Sequence, residues 1–169
     1  ALEQGADTAE IAGLVYLEKF ELTHRRHVAP KHHLNRDMDR LTLPAWDLLP
    51  DFPRAYKPAI FDYPAGPVAS IAASRGCPFH CKFCDTSTFG EAVRAYSARR
   101  VFDIMAHLKN RYGIRHIMFV DDLFTASRKR TTELCELIIE HDLGMTWSCA
   151  SRVDVVKPDL LKLMRRAGC

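Results

Sequence analysis

The chain has no long apolar run, no strong charge of either sign and no second pair of closely spaced cysteines. Its longest hydrophobic stretches fall far short of the ~20 residues that a membrane-spanning helix needs, so no membrane span is expected. A formal net charge of +3, dispersed along 169 residues, is too weak to argue for a nucleic-acid partner. Basic residues gather only locally, at Arg25-Arg26, Lys31 to Arg40 and Arg128-Lys129-Arg130, and each group is expected on a solvated face or loop. Nothing at the N-terminus resembles a secretory signal, which makes a cytoplasmic location the expectation and argues against a disulfide framework. The chain begins at Ala1 rather than Met, and its true start is expected further upstream. With 47% hydrophobic residues, a chain of this length can bury one ordinary core, so one domain with an appendage is the expected organisation.

What is present is a dense knot of sulfur. Within Ser74-Arg75-Gly76-Cys77-Pro78-Phe79-His80-Cys81-Lys82-Phe83-Cys84-Asp85, three of the six cysteines stand at C-x3-C-x2-C. Three thiolates that close have metal chemistry as their natural use. The usual [4Fe–4S] site satisfies every iron with cysteine, whereas three ligands on one loop leave one iron open. An open iron can take nitrogen and oxygen donors from a small molecule, as catalytic metals generally keep a vacant position. The competing reading is zinc on Cys77, Cys81 and Cys84 with His80 or a distant fourth ligand. Structural zinc favours C-x2-C pairs in two separated halves, however, and a second pair is absent. Cys135, Cys149 and Cys169 lack ligand spacing; Cys135 is expected in the core, and Cys149 either buried or facing a rim. His27, His32 and His33 have no spacing or carboxylate that fixes a metal site and are expected at the surface. Arg75 and Lys82 flank the thiols, where positive charge would favour the thiolate and raise a cluster's potential; solvation is their simpler explanation.

Taken in order, residues 1–12 hold at most a short helical fragment, and the β-prone runs 13–17 and 21–24 form a hairpin. Residues 25–67 are rich in Pro, His, Arg and Asp without a sustained period, a long connector with one helical turn near Trp46. From Val68 the pattern becomes a βα alternation. Residues 67–73 suit a buried parallel strand, and Ser97 caps a helix whose Val101, Ile104, Met105, Leu108 and Tyr112 recur until Gly113. Residues 114–120 form a second strand ending in Asp121-Asp122. Ser127 caps a second helix with Leu134, Leu137, Ile138 and His141 turned inward until Gly144. Residues 145–150 form a third strand. Lys157-Pro158-Asp159 opens a third helix with Leu160, Leu161, Leu163 and Met164 as its apolar face before Gly168. Functional groups in such folds gather at the carboxyl ends of the strands. There stand the cysteine loop, Asp121 and Asp122, and then Ser148, Ser151 and Arg152.

The C-x3-C-x2-C loop, with Phe83 just before its third cysteine, resembles the cluster loop of the radical S-adenosylmethionine (radical SAM) enzymes. Further stretches are similar to the subgroup with an N-terminal cobalamin-binding domain: Pro44-Ala45-Trp46-Asp47-Leu48-Leu49-Pro50, Phe119-Val120-Asp121-Asp122-Leu123-Phe124, Trp147-Ser148-Cys149-Ala150-Ser151-Arg152-Val153-Asp154 and Ala167-Gly168-Cys169. The resemblance implies an α/β fold, the N-terminal part of a partial (βα)6 TIM-like barrel. Residues 1–24 would be the end of a missing cobalamin domain plus the hairpin, 25–67 the connector, and 68–169 the first three βα units. The chain would then stop at the fourth strand and turn over nothing alone. Implied cofactors are a [4Fe–4S] cluster on Cys77, Cys81 and Cys84, S-adenosylmethionine, and cobalamin in the longer protein. The implied reaction is reductive cleavage of S-adenosylmethionine to a 5′-deoxyadenosyl radical, then methyl transfer to an unactivated carbon or phosphorus; cyclisation or rearrangement, and a non-catalytic zinc or iron–sulfur module, are the alternatives. Implied partners are a small-molecule substrate and a one-electron reductant such as flavodoxin or ferredoxin. Phe83 would cover the adenine side of the cluster. Asp121 or Asp122 would accept from the S-adenosylmethionine ammonium, in a place where many members carry a Gly-Gly-Glu-like stretch. Ser148 would lie at the cofactor. Arg152 would pair with a carboxylate of the bound molecule, or else bridge to Asp154.

Overall fold

Strand-forming apolar runs alternate with capped amphipathic segments after residue 67, and the chain folds accordingly. The computed structural model describes residues 7, 11, 14–20, 23–28, 35–56 and 63–169. By contact it divides into two units, residues 1–36 and 37–169. In the first, β1 (Val15–Phe20) and β2 (Thr23–Val28) pair antiparallel, from Val15 opposite Val28 to Phe20 opposite Thr23. The hairpin expected from sequence is therefore present, with its second strand running on through Arg25 and Arg26. His32 and His33, and most of residues 1–12, lie outside the described residues.

The second unit is built on a parallel sheet of β3 (Val68–Ile71), β6 (His116–Phe119) and β7 (Thr146–Cys149), in that order. Two short strands, β4 (Ser74–Arg75) and β5 (Arg94–Ala95), pair antiparallel beyond the carboxyl end of β3. Three helices complete the βα units: α1 (Ala98–Tyr112), α2 (Arg128–Glu140) and α3 (Pro158–Arg166).

The caps are those the sequence announces. Ser97 Oγ accepts from Arg100 N at 3.1 Å, and Ser127 Oγ accepts from Arg130 N at 3.3 Å. Gly113 ends α1 in the left-handed conformation that glycine enters without penalty. Pro158 opens α3, where the missing amide has no helical partner to lose. Part of the connector also belongs to this unit. Short 3-10 turns at Met38–Arg40 and Trp46–Leu48 bury Met38 and Trp46. Asp39 Oδ1 accepts from Ser97 N at 2.8 Å, and Leu41 O accepts from Arg100 Nη2 at 2.8 Å, so this segment ties down the start of α1.

One sheet face carries Ala69, Ile71, Ile117, Phe119 and Trp147, buried with Val101, Met105, Leu108 and Leu134 of the helices. On the other face Ser70 and Ser148 are exposed and Met118 half-buried. His116 there hydrogen-bonds Thr146 Oγ1 through Nδ1 (2.8 Å) and Ser148 Oγ through Nε2 (3.2 Å), and burial pushes its pKa down. Beyond β7 the chain returns alongside it: Trp147 donates its backbone N–H to Gly168 O at 3.1 Å and its indole N–H to Ala167 O at 2.8 Å.

Three expectations are corrected. His141 lies at the C-cap of α2 and is exposed, its ring 4.9 Å from Phe102; the helix ends one residue before it, so it leaves the inward stripe. Leu161 is 48% exposed, because the α3 stripe buries Leu160 and Met164 four positions apart and turns their neighbour outward. Arg130, grouped with solvated Arg128 and Lys129, is only 9% exposed, since it follows them by one and two positions onto the inner side of α2.

Ser97→Ala removes the side-chain acceptor at the start of α1 and should lower unfolding free energy by about 1 kcal/mol in a denaturant titration. An unchanged midpoint would mean that Asp39 alone secures that end.

Candidate functional site

The cysteine loop leaves β3 and is drawn shut at its base. Ser74 and Arg75 of β4 pair with Ala95 and Arg94 of β5. Just inside this neck, Cys77 N donates to Gly90 O at 3.2 Å, and Gly90 N donates to Thr86 O at 2.8 Å. Gly76 stands where the two arms come closest, with φ of 87°; a Cβ there would lie 2.6 Å from Ala92 O and 2.8 Å from Gly90 O. Only glycine fits both the conformation and the space.

Two carboxylates from the end of β6 hold the neck to the sheet. Asp121, 4% exposed, accepts from Ala73 N at 3.0 Å through Oδ2 and from Ser74 Oγ through Oδ1. Burial pushes its pKa up, against the pull of the Ser74 hydroxyl, the Ala73 amide and the Arg130 charge. Arg130 in turn donates to Ala73 O at 3.2 Å and Phe124 O at 2.8 Å, and its guanidinium sits 5.2 Å from the Phe124 ring centre. Asp122 is exposed and accepts from Gly76 N at 3.2 Å. Both acids raised by the sequence thus meet the loop's own polypeptide, a use that apolar-strand patterning gave no means of foreseeing. Arg130 was missed as a site residue; its distance of nine positions from Asp121, across a turn, carries no local signal.

Within the loop the sulfurs are graded in exposure: Cys77 buried, Cys81 half-buried, Cys84 exposed, all three free. Cys84 N donates to Cys81 O at 2.9 Å, and Ser87 donates from N to Asp85 Oδ1 at 2.8 Å to close the next turn. Phe83 is 94% exposed, so its ring is no part of the core. Lys82 is exposed; Arg75 is half-buried, donating to Ala72 O and Ser74 O at 3.0 Å each.

From beyond β7, Arg152 reaches this loop. It forks onto Asp154 (Nε to Oδ1 3.0 Å, Nη2 to Oδ2 2.6 Å), which realises the structural bridge read from sequence. Its Nη1 donates to Cys81 Sγ at 2.9 Å, and its guanidinium carbon lies over the Phe79 ring, 4.2 Å from the ring centre. Ser148 remains on the open sheet face with His116, and Ser151 hydrogen-bonds Thr125.

The other thiols belong elsewhere. Burial pushes Cys135 up to about 12. A hydrogen bond with Cys169, with burial added, pushes Cys149 up as well. Both pack with the core and stay protonated at neutral pH, and a protonated thiol is a poor metal ligand.

The donor set of the loop fits an iron–sulfur cube. Its three thiols are free, and among the described residues no group of three or more His, Cys, Asp or Glu side chains gathers as a single ion requires. Thiolates on different corners of a cube bind different irons and stand apart, so they need not converge.

A three-thiol loop at the carboxyl rim of parallel βα units places the molecule among α/β enzymes of the partial-barrel kind, whose chemistry is mounted on strand ends. The chain belongs to the radical SAM superfamily, whose family model matches residues 71–169. Membership implies S-adenosylmethionine and a [4Fe–4S] cluster. The chain is 33% identical, over its whole length, to an uncharacterised methyltransferase of Pyrococcus horikoshii, and spans 35% of that protein. It is 34% identical over 78% of its length to the anaerobic magnesium-protoporphyrin IX monomethyl ester cyclase of Rubrivivax gelatinosus, spanning 23% of it. It is 27% identical over 83% of its length to the cytidylyl-2-hydroxyethylphosphonate methyltransferase of Streptomyces wedmorensis, spanning 27% of it. Among solved structures, the cobalamin-dependent S-adenosylmethionine radical enzyme OxsB superposes with a TM-score of 0.75 at 18% identity, over 99% of this chain and 24% of that one. That likeness shows the fold.

Replacing Asp121 by Ala leaves Ala73 N and Ser74 Oγ without their buried acceptor and should cost about 1–3 kcal/mol of unfolding free energy for each donor left unsatisfied. Asp121→Asn, which keeps an acceptor oxygen, should recover part of it in a denaturant titration. The raised pKa has a definite sign. The folded state holds the Asp121 proton more tightly than the unfolded chain, so this residue's contribution is full below the ordinary carboxylate pKa and is lost as pH rises through the folded value. In Asp121→Asn that component of the stability–pH slope should vanish.

Proposed function

We propose that Cys77, Cys81 and Cys84 hold three irons of a [4Fe–4S] cluster and leave the fourth to the amino and carboxylate groups of S-adenosylmethionine. The observation that carries this reading is the pinched loop itself: three free thiols between Gly76 and Gly90, anchored by Asp121 and Asp122 to the sheet end. The bound cluster would supply one electron to S-adenosylmethionine, cleaving its sulfonium bond to the 5′ carbon and releasing a deoxyadenosyl radical. The chain's own work is to bind, orient and keep water out. Phe83, exposed on the loop, is available to cover the adenine side, and Ser148 offers a hydroxyl on the open sheet face. Of the acid pair, Asp122 is better placed for the ammonium, because it is exposed beside Gly76 while Asp121 is buried beneath the loop.

For the whole protein we favour methyl transfer to an unactivated carbon or phosphorus, with a bound cobalamin as methyl donor, a small molecule as substrate and flavodoxin or ferredoxin as electron source. The methyltransferase names of the relatives and the cobalamin dependence of the structural neighbour support it. A second reading, ring closure, is favoured by the cyclase relative. Anaerobic reconstitution followed by assay with methyl-labelled S-adenosylmethionine separates them: label in the product supports transfer, and 5′-deoxyadenosine with unlabelled product supports cyclisation.

Ala at position 77, 81 or 84 in turn should abolish the broad visible absorption and the roughly four irons and sulfides per chain expected of the cluster. Cys135→Ala and Cys149→Ala should retain both. Cluster loss on replacing Cys149 alone, or one colourless zinc per chain in the wild type, would overturn the ligand assignment.

A further inference from the structure

Arg152 makes a contact that neither a bridge to Asp154 nor a site for a substrate carboxylate accounts for. Three of its five N–H donors are assigned: two fork onto the Asp154 carboxylate, and one from Nη1 points at Cys81 Sγ, 2.9 Å away. The guanidinium also lies over the ring of Phe79, between the first and second cysteines of the loop, with its carbon 4.2 Å from the ring centre. A fork on one side and a ring beneath fix the plane of the group, so the direction of the third N–H is set before any cofactor binds. A lysine could supply the charge but not this geometry.

We propose that Arg152 is a positioning residue for electron entry: it donates a charge-assisted hydrogen bond to the sulfur of Cys81 and thereby raises the reduction potential of the cluster which that sulfur ligates. The assignment rests on the cluster reading above. Hydrogen bonds to ligand sulfurs are among the established determinants of such potentials. The reason is that an added electron increases negative charge on the sulfurs, so a donor aimed at one of them stabilises the reduced state more than the oxidised one. The contact joins the end of the third strand to the loop after the first, 71 residues apart, and so also holds the middle of the loop down from its far side. Phe79 and Asp154 then serve Arg152: one supplies a flat seat, the other takes the two donors that would otherwise search for partners.

The test is a redox titration of the reconstituted holoprotein, following the reduced cluster by electron paramagnetic resonance, for wild type, Arg152→Met and Arg152→Lys. Iron and sulfide content and S-adenosylmethionine affinity are measured on the same samples. Expected is an about tenfold lower ratio of reduced to oxidised cluster at fixed potential in Arg152→Met, equivalent to about 59 mV for one electron. Arg152→Lys should fall between, with unchanged iron content and affinity within about threefold of wild type in both. An unchanged midpoint in both variants overturns the proposal. So does an affinity loss above about tenfold at unchanged midpoint, which returns Arg152 to the carboxylate of S-adenosylmethionine. A wild type that binds no cluster fails the parent reading instead, and is recognised before any variant is compared. If Arg152→Met cannot hold a cluster, the midpoint of Arg152→Lys decides alone.

Discussion

The burial of one charged group, the Asp121 carboxylate, is the constraint around which the rim is built. Removing a carboxylate from water is costly, and the group is kept only where enough donors meet it. Here two donors meet it, the amide of Ala73 and hydroxyl of Ser74 at the exit of β3, and the positive charge of Arg130 on α2 acts on it without a hydrogen bond. Because the acid closes β6 and its donors leave β3, while Arg130 donates to Ala73 O, these contacts fix the mutual position of two strand ends and a helix. Were Asp121 solvated, β4 would have no defined point of departure, and Gly76 and Cys77 would inherit the uncertainty.

Adjacent residues therefore divide two tasks. Asp121 faces down into the packed layer and acts on the loop's base; Asp122 faces out and touches the backbone of Gly76, where the loop begins. The same division runs down the sheet. Ile117, Phe119 and Trp147 enter the core, while Met118, Ser148 and the His116 network occupy the opposite face. A sheet with one greasy side and one hydroxyl-bearing side can be stabilised by its helices and still offer a polar surface to a small ligand.

Much of this was legible in the residues. Ser97, Ser127 and Gly113 are cap signals with a local cause, and the structure places the caps there. The β-branched and apolar runs around residues 68–71 and 116–119 are the strands, and the cysteine spacing marks the loop. What escaped is long-range or too short to have a period. β4 and β5 are two residues each, below the length at which alternation means anything. Arg130 looked like its neighbours Arg128 and Lys129 because a charge run has no phase, and only the helix decides which member turns inward. The Arg152 contact with Cys81 depends on how the third strand end faces the first loop. His141 and Leu161 show the opposite failure, in which one stripe was read a residue beyond the helix end and the other a position too wide.

The neck of the cysteine loop has a consequence for inheritance. Since β4 and β5, Gly76 and Gly90 close the loop upon itself, its shape is specified largely by its own residues, with few outside anchors: Asp121, Asp122 and Arg152. A segment of that kind behaves as a cassette. The surrounding polypeptide can drift, lengthen or acquire new neighbours without reshaping it, and descendants can adopt unrelated substrates while carrying the same fitting unchanged. Proteins named as a phosphonate methyltransferase and as a magnesium-protoporphyrin ester cyclase both align with this chain, which is the diversity such a separable part permits.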